Sequence, residues 1–377
     1  MIRNTAWGML LLVALCAIGC APTPAQRNSK RIWDLNFMTK ADDVVAPTPV
    51  KPIRSTEKVA HLPGTVAIWA HPTDASRSLI IATDVSRRGG LVVFGLDGKP
   101  VQQIAVPLPY GIQVQAAFDF GRRRIDIAAV IERESNRLRI FGINTRKGLL
   151  WEITGNTALS EGGDGNGAMA LSLMMRDRQT YAIISRKSNF DGAGILSVYS
   201  LVAKEGRVNA RKVNQMGEFG RRGIVEAMTT DESQGTVMYC DPSLGIRKYP
   251  VLSEHPKELG RFAESGWAMR CAALGIFPGR KPGSGYIVAA DYEDDLTSLR
   301  LFKRRGEIDS PFANRELPTR PTLAGQRASG MAMTPQALPG YPEGMIVIGD
   351  EVAKTYDFYS WRDIRTQRGG ASRLPLL

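Results

Sequence analysis

Side chains able to do nucleophilic, acid–base or metal chemistry are sparse in this 377-residue chain. It has three histidines, His61, His71 and His255, and four cysteines, none of them in a CxxC pair. Zinc sites need clustered Cys and His ligands, and a catalytic triad needs a placed histidine, so both chemistries are disfavoured. The run GDGNG at Gly163–Gly167 is superficially like a calcium loop. It lacks the twelve-residue pattern with a terminal Glu, so it is better read as a turn.

Cations outnumber anions over the whole chain. There are 49 Lys and Arg against 37 Asp and Glu, a net charge of +12, and the pI is about 9.7. Such a surface attracts anionic lipid, polyanions or phosphorylated small molecules, although a simply solvated basic surface is the plainest alternative. The cations are spread along the chain and no helix-turn-helix, zinc finger or RNA-binding motif is found, which disfavours nucleic acid as a partner.

The first twenty residues have the pattern of an export signal. Arg3 precedes an apolar run, 7–18, that is too short to span a bilayer, and Gly19 and Cys20 follow. Residues 17–20 resemble a bacterial lipobox, which predicts lipidation of Cys20 and a membrane anchor, with ordinary cleavage near residues 21–25 as the alternative. We therefore expect an exported protein, in the periplasm or at the outer membrane as a lipoprotein, and otherwise secreted.

Composition divides the rest of the chain. Residues 21–58 contain five prolines and no sustained apolar period, which predicts a linker. About 300 residues remain, ample for one large core, with a tail at 365–377. In an oxidising compartment, Cys240 and Cys271 could either pair or remain as two buried thiols.

Short β-rich runs with turn signals between them fill the body of the chain. Six of them recur at intervals of about fifty residues, and most are followed by a second run. This period predicts an all-β, six-bladed β-propeller, with a pair of β-sandwiches as the main rival. The six runs are 78–83, 124–130, 180–185, 234–239, 285–290 and 344–349.

Several motifs resemble those of the β-propeller phytases, calcium-dependent enzymes that remove phosphate from inositol hexakisphosphate. AIWAHP at 67–72 is similar to a motif of that family's first blade. GRRRIDIAAVI at 121–131, VEAMTTDESQGTVMYCDPSLGIRKY at 225–249 and LPGYPEGMIVIGD at 338–350 follow in the family's order. The resemblance covers roughly residues 59–364 and implies the same six-bladed propeller.

The resemblance also implies a cluster of carboxylates at one end of the central channel, which holds several calcium ions that bind phosphate and activate water. Carried over position by position, most of these acids are replaced here. Only Glu226 and Asp241 keep a carboxylate, so they are the two candidate metal ligands. Two acids cannot supply the oxygen ligands that several calcium ions need. The replaced acid positions are Gly64, Thr65, Pro242, Arg270, Ala272, Ser329 and Ala332.

The basic residues of the family's site are better preserved. The resemblance implies a phosphate-binding role for the cations that match basic positions of the family, and Arg270 adds a further cation where the family has an acid. Arginine presents a planar fork that fits phosphate. We expect these side chains to converge without carboxylate partners and to bind phosphate directly, although solvated arginines in turns are the simpler alternative. The predicted phosphate-binding residues are Arg87, Arg88, Arg133, Lys187 and Arg270.

Two functions from different classes follow. The first is a phosphomonoester hydrolase on phytate or related inositol phosphates, weak or inactive because its calcium ligands are replaced. The second is a non-enzymatic, monomeric propeller that holds a phosphorylated or anionic ligand, or a partner protein, at a basic channel mouth. The resemblance favours the first and the residues favour the second, because a fold alone does not carry a function.

Overall fold

A computed structural model describes residues 48–160, 167–187, 194–218, 224–281, 283–292, 296–305 and 314–367. These residues form six four-stranded antiparallel sheets, numbered here as blades 1 to 6. The prediction of an all-β, six-bladed propeller is confirmed. No helix among the described residues is long and apolar enough to cross a membrane. The predicted signal segment and Cys20 lie outside the described residues.

Each blade is a meander in which consecutive strands pair. Strand β1 (Arg54–Ser55) comes first in the chain and is treated below. The next strands, in chain order, form blades 1 to 3. Blade 1 has β2 (Pro63–Trp69), β3 (Leu79–Asp84), β4 (Gly90–Gly95) and β5 (Pro100–Ala105). Blade 2 has β6 (Pro109–Phe120), β7 (Arg123–Glu132), β8 (Arg137–Asn144) and β9 (Leu149–Glu152). Blade 3 has β10 (Ala168–Arg176), β11 (Gln179–Arg186), β12 (Leu196–Lys204) and β13 (Arg207–Met216).

The remaining strands form blades 4 to 6, and a short helix, α1 (Trp361–Arg365), follows the last strand. Blade 4 has β14 (Met228–Asp231), β15 (Thr236–Asp241), β16 (Gly245–Pro250) and β17 (Gly260–Phe262). Blade 5 has β18 (Cys271–Pro278), β19 (Gly285–Tyr292), β20 (Thr297–Lys303) and β21 (Thr322–Leu323). Blade 6 has β22 (Ala328–Thr334), β23 (Met345–Asp350) and β24 (Thr355–Ser360), with β1 as its outer strand.

The ring is closed by the segment that precedes blade 1. Arg54 and Ser55 of β1 pair with Phe358 and Asp357 of β24. Residues 48–58, which were predicted as the end of the linker at 21–58, therefore belong to the propeller. Strand β1 was not predicted because it has only two residues, both exposed, and so shows no apolar period.

The hydrophobic core consists of layers between neighbouring blades. The first strand of each blade lies innermost and contacts the first strands of the blades on either side. Trp69 of blade 1 and Phe141 of blade 2 share one such layer. Phe277 of blade 5 stacks on Trp361 at the end of blade 6, with ring centroids 4.1 Å apart. The second and third strands are buried on both faces, which explains why they read as continuous apolar runs in the sequence.

Candidate functional site

The innermost strands share an irregularity at one end of the ring. Five of the six have a register shift close to their first residue, as β6 does between Tyr110 and Gln113. A shift of this kind re-aims side chains at a sheet edge and is frequent beside binding sites. The end of the ring where the innermost strands begin and the second strands finish is referred to below as the channel end.

Buried charged residues mark the same end. The last residue of each second strand, or in blade 5 the residue before it, is charged and buried, and in five of the six blades it is an acid. Asp291 accepts backbone N–H bonds from Ala268 and Met269 at 2.7 and 3.2 Å. Asp84 and Asp350 repeat this arrangement with backbone N–H donors that precede β2 and β22, so in three blades a carboxylate fixes the chain that leads into the innermost strand. The six residues are Asp84, Glu132, Arg186, Asp241, Asp291 and Asp350.

Sequence reasoning missed this series except for Asp241, which was proposed as a metal ligand. The sequence does contain a pattern that could have revealed it, because an acid ends an apolar run about every fifty residues.

Arg270 is held between two fixed points. Asp291 secures the residues before it, and Cys271, which follows it, is joined to Cys240 of blade 4 by a disulfide with the Cα atoms 6.2 Å apart. From this position the half-exposed Arg270 side chain reaches Glu226, and its Nη1 donates to Oε2 at 2.6 Å. The disulfide and this ion pair both join blade 5 to blade 4.

Tyr110 extends the same group of residues across the channel end. Its hydroxyl donates to Glu226 Oε1 at 3.4 Å, a long contact between blade 2 and the chain leading into blade 4. The guanidinium of Arg133 lies over the Tyr110 ring, 5.1 Å from its centroid. Burial and the Glu226 charge raise the pKa of Tyr110, against the opposing effect of Arg133 and Arg270. Its hydroxyl therefore keeps its proton at neutral pH. Arg133, Tyr110, Glu226 and Arg270 are referred to below as the mouth cluster.

The predicted phosphate-binding residues are only partly brought together. Arg133 and Arg270 join the mouth cluster through Tyr110 and Glu226. Lys187 directly follows β11, where its backbone N–H donates to Gly167 O at 3.0 Å. Its ammonium group has no ion pair or hydrogen bond among the residues that the structure describes.

Arg87 and Arg88 lie together in the turn between β3 and β4 but have different surroundings. Arg87 Nε is 3.9 Å from Glu134 Oε1, and both side chains are largely exposed. Arg88 lines a groove beside blade 1. The expectation that the cations lack carboxylate partners is wrong for Arg270, because an arginine that replaces an acid turns towards the acid that remains.

The model of the protein family described as Phytase matches residues 10–354, which is most of the chain. The chain belongs to the phytase family. A curated relative, the 3-phytase of Bacillus subtilis (strain 168), is 24% identical over 386 aligned residues that cover 98% of this chain and 93% of the relative. The family resemblance seen in the sequence is thereby confirmed.

Solved structures support the fold alone. An α-L-arabinanase of Penicillium chrysogenum complexed with arabinobiose is similar with a TM-score of 0.52 and 9% identity, over 85% of this chain and 99% of that one. A luciferin-regenerating enzyme is similar with a TM-score of 0.50 and 12% identity, over 88% and 100% of the two chains.

In this phytase-family chain, the positions at which sequence resemblance implied paired aspartates have structural roles. Gly64 donates its N–H to the Tyr356 hydroxyl at 2.8 Å, which ties blade 1 to blade 6. A Cβ atom at Gly64 would lie 2.5 Å from Val85 Cγ2 and 2.6 Å from Thr83 Oγ1, so a side chain does not fit there. Thr65 Oγ1 accepts the N–H of Ile112 at 2.9 Å and ties blade 1 to blade 2.

The two remaining candidate metal ligands are each paired with an arginine. Glu226 is bound by Arg270. Asp241 is buried, accepts the N–H of Ser243 at 2.9 Å and lies 3.6 Å from Arg247 Nη1. Within the described ranges, no three His, Cys, Asp or Glu side chains are grouped so as to hold a metal ion. Members of the family generally depend on calcium, but this set of donors does not fit it, and no step of the function proposed below passes through calcium.

Proposed function

We propose that this phytase-family propeller binds phosphorylated small molecules, inositol phosphates among them, directly through the cations of the channel end. We further propose that it hydrolyses phytate far more slowly than calcium-dependent members of the family. Family membership supports the choice of ligand. The arginine pairing of Glu226 and Asp241 supports binding without metal, because a carboxylate already neutralised by a guanidinium is a poor calcium ligand.

One observation carries the proposal, namely the stacking of Arg133 on Tyr110 beside the Arg270–Glu226 pair. Stacking orients the Arg133 fork before a ligand arrives, so less side-chain entropy is lost on binding. Arg270 is half-exposed. A phosphate that carries more charge than one carboxylate can therefore compete with Glu226 for its guanidinium. The protonated Tyr110 hydroxyl becomes a further donor when it turns from Glu226 to the phosphate.

Lys187 adds a cation that follows the second strand of blade 3, between the two blades that supply Tyr110 and Glu226. Each charge-assisted contact with a phosphate contributes about 1.5–3 kcal/mol. Three such contacts, after the cost of association, correspond to roughly micromolar affinity.

Calorimetry with inositol hexakisphosphate in chelator at low salt tests the binding. We expect roughly micromolar affinity, reduced at least about tenfold in the double variant Arg133→Ala/Lys187→Ala. Arg124→Ala is the matched control, because Arg124 is an exposed arginine of blade 2 at the opposite end, 3.4 Å from Asp119. Absence of binding, or equal losses in the control and the double variant, would contradict the proposal.

Hydrolysis is the second candidate, and the family match favours it. Phosphate release from phytate, measured with calcium and with chelator, tests it directly. We expect slow release that calcium does not stimulate. Fast, calcium-stimulated release would contradict the proposed slow hydrolysis.

For the cellular setting we propose export and a membrane anchor through acylated Cys20. Residues 17–20 support this by their lipobox-like sequence. Metabolic labelling with a radioactive fatty acid should mark the wild-type protein and not the Cys20→Ser variant. Release of unlabelled wild-type protein into the medium would instead favour ordinary signal cleavage.

A further inference from the structure

A groove runs along the outer side of blade 1 and has a volume of about 360 Å³. One wall is the incoming chain at 57–61, and the other is formed by β4, β5 and the turn before β4. The volume is within the range of small-molecule pockets. The groove and the mouth cluster have no residue in common.

His61 lines this groove in a fixed orientation. Its Nδ1 is 2.8 Å from Asp84 Oδ2. Asp84 is buried and also accepts the backbone N–H groups of His61 and Leu62 at 2.9 and 3.0 Å. A carboxylate acceptor requires the proton on Nδ1, so the imidazole exposes Nε2. Nε2 has no partner in the part of the chain that the structure describes, and the side chain is 39% exposed.

Arg88 lines the same groove because two glycines allow its turn to pack closely. A Cβ atom at Gly89 would lie 1.9 Å from Asp84 O, and one at Gly90 would lie 2.0 Å from Ile104 O. The Arg88 backbone N–H donates to Ser86 Oγ at 3.2 Å. Its guanidinium has no ion pair or hydrogen bond within the described ranges. Close packing of the turn on Asp84 therefore brings an unpaired guanidinium and an oriented imidazole into one groove.

The rest of the groove is mainly apolar. Val59, Leu91, Val92, Phe94 and Ile104 contribute to its lining, and Gln103 adds one amide. A solvated inorganic anion gains little from such walls, whereas an organic anion with an apolar body loses apolar surface to them. Binding pockets commonly combine a few placed polar groups with apolar walls in this way.

We propose that this groove is a second ligand site, which takes a small organic oxyanion with an apolar body, such as an aryl phosphate monoester. The Arg88 guanidinium holds the oxyanion, His61 Nε2 accepts a hydrogen bond from a protonated phosphate oxygen, and Asp84 positions His61. The apolar body lies along Val92 and Phe94.

The experiment uses the whole protein in chelator, with phenyl phosphate as the probe, calorimetry for affinity and NMR of the imidazole nitrogens for contact. We expect phenyl phosphate to bind more tightly than inorganic phosphate, and to shift the His61 Nε2 resonance. Arg88→Gln should weaken binding about tenfold or more. Lys99→Gln is the matched control, because it removes the same charge from an exposed turn of the same blade that does not line the groove.

A second variant distinguishes a loss of the binding group from misfolding. His61→Asn keeps an amide donor for Asp84 but removes Nε2, so it should retain the thermal midpoint and still weaken binding. The proposal is overturned if phenyl phosphate does not bind, if Arg88→Gln binds as tightly as wild type, or if Lys99→Gln loses as much affinity as Arg88→Gln.

Discussion

Arg270 Nη1 lies 2.6 Å from Glu226 Oε2, and the pair joins the chain entering blade 5 to the chain entering blade 4. The resemblance implied carboxylates at both positions. One of them is now a cation, which neutralises the acid that remains. An ion pair therefore stands where the resemblance implied two metal-binding carboxylates, and Glu226 competes with anionic ligands for Arg270.

Glu226→Gln should raise the affinity for inositol hexakisphosphate in chelator by about fivefold. The substitution removes a negative charge that competes with phosphate for Arg270, and Tyr110 keeps an amide oxygen as acceptor. Calorimetry measures the change, and Glu205→Gln at an exposed turn is the control for net charge. If Glu226 were a metal ligand instead, the variant would leave affinity in chelator unchanged and abolish any response to calcium.

Gly64→Ala should lower the free energy of unfolding by about 1–3 kcal/mol, because the added methyl group overlaps Val85 and Thr83. Urea denaturation measures the loss. Gly167→Ala is the control at the same end of the ring, since a Cβ atom there would lie an ordinary 3.7 Å from Asn136 Oδ1. If Gly64→Ala left the free energy of unfolding unchanged, position 64 would tolerate a side chain, and an aspartate could be placed there.

Asp291→Ala should destabilise the protein by about 2–4 kcal/mol and also weaken inositol hexakisphosphate binding. The reason is that the N–H groups of Ala268 and Met269 lose their acceptor and Arg270 loses its fixed position. Asp350→Ala is the matched control, because Asp350 accepts N–H bonds from Gln326, Val352 and Ala353 in blade 6. It should lose similar stability and keep its ligand affinity. Equal affinity losses in both variants would exclude a specific effect on Arg270.

Reduction of the Cys240–Cys271 disulfide should lower the free energy of unfolding by about 3–4 kcal/mol. The bond closes a loop with a sequence separation of 31, and its loss restores that entropy to the unfolded chain. Denaturation with and without reductant measures the effect. The double variant Cys240→Ser/Cys271→Ser should have the stability of the reduced protein, and reductant should not change it. If reductant lowered the stability of that variant, the effect would not come from this disulfide.

The burial of Lys248 predicts that the free energy of unfolding rises with pH. Burial lowers the pKa of this lysine from 10.5 to about 8, against the opposing charge of Asp231. Between these two pH values the unfolded chain binds more protons than the folded one, so folding becomes more favourable as pH rises. The contribution grows by up to about 3 kcal/mol over that interval and is absent below pH 8.

Urea denaturation of wild type and Lys248→Met between pH 7.5 and 9.5, as approximate limits, measures this effect. The stability of wild type relative to the variant should increase with pH. The exposed Lys204→Met provides the control and should follow wild type. A constant difference between wild type and Lys248→Met would show that Lys248 titrates normally.

The sequence predicted those strands that are buried on both faces. All six predicted runs overlap the second strands, such as β3 and β23, and the accompanying runs fall on third strands. These strands are covered on both faces by neighbouring blades, so their apolar residues are continuous. The innermost strands carry bulges and the outer strands are exposed, and neither gives a regular period. The ring-closing strand β1 escaped notice for the second of these reasons.

The candidate site was predicted residue by residue and only in part. Arg133, Arg270 and Glu226 are grouped at the channel end, as the resemblance implied. Tyr110 was missed, because nothing in its local sequence distinguishes it from a core aromatic. Arg88 was assigned to phosphate but lies in the groove beside blade 1. The groove depends on two glycines beside Arg88 and on the chain at 57–61, of which residues 57 and 58 were predicted to belong to the linker.

The amino-acid sequence by itself determined the repeat, the propeller and the family, because those are recorded in runs of neighbouring residues and in the order of motifs. Only the tertiary structure decided which charges meet. Tyr110 and Glu226 are 116 residues apart, and Arg270 and Glu226 are 44 apart. Such contacts form when the ring closes and brings the first residues of different blades together. A periodic pattern reports whether a residue is buried on its own strand, and it carries no information about its partner on another.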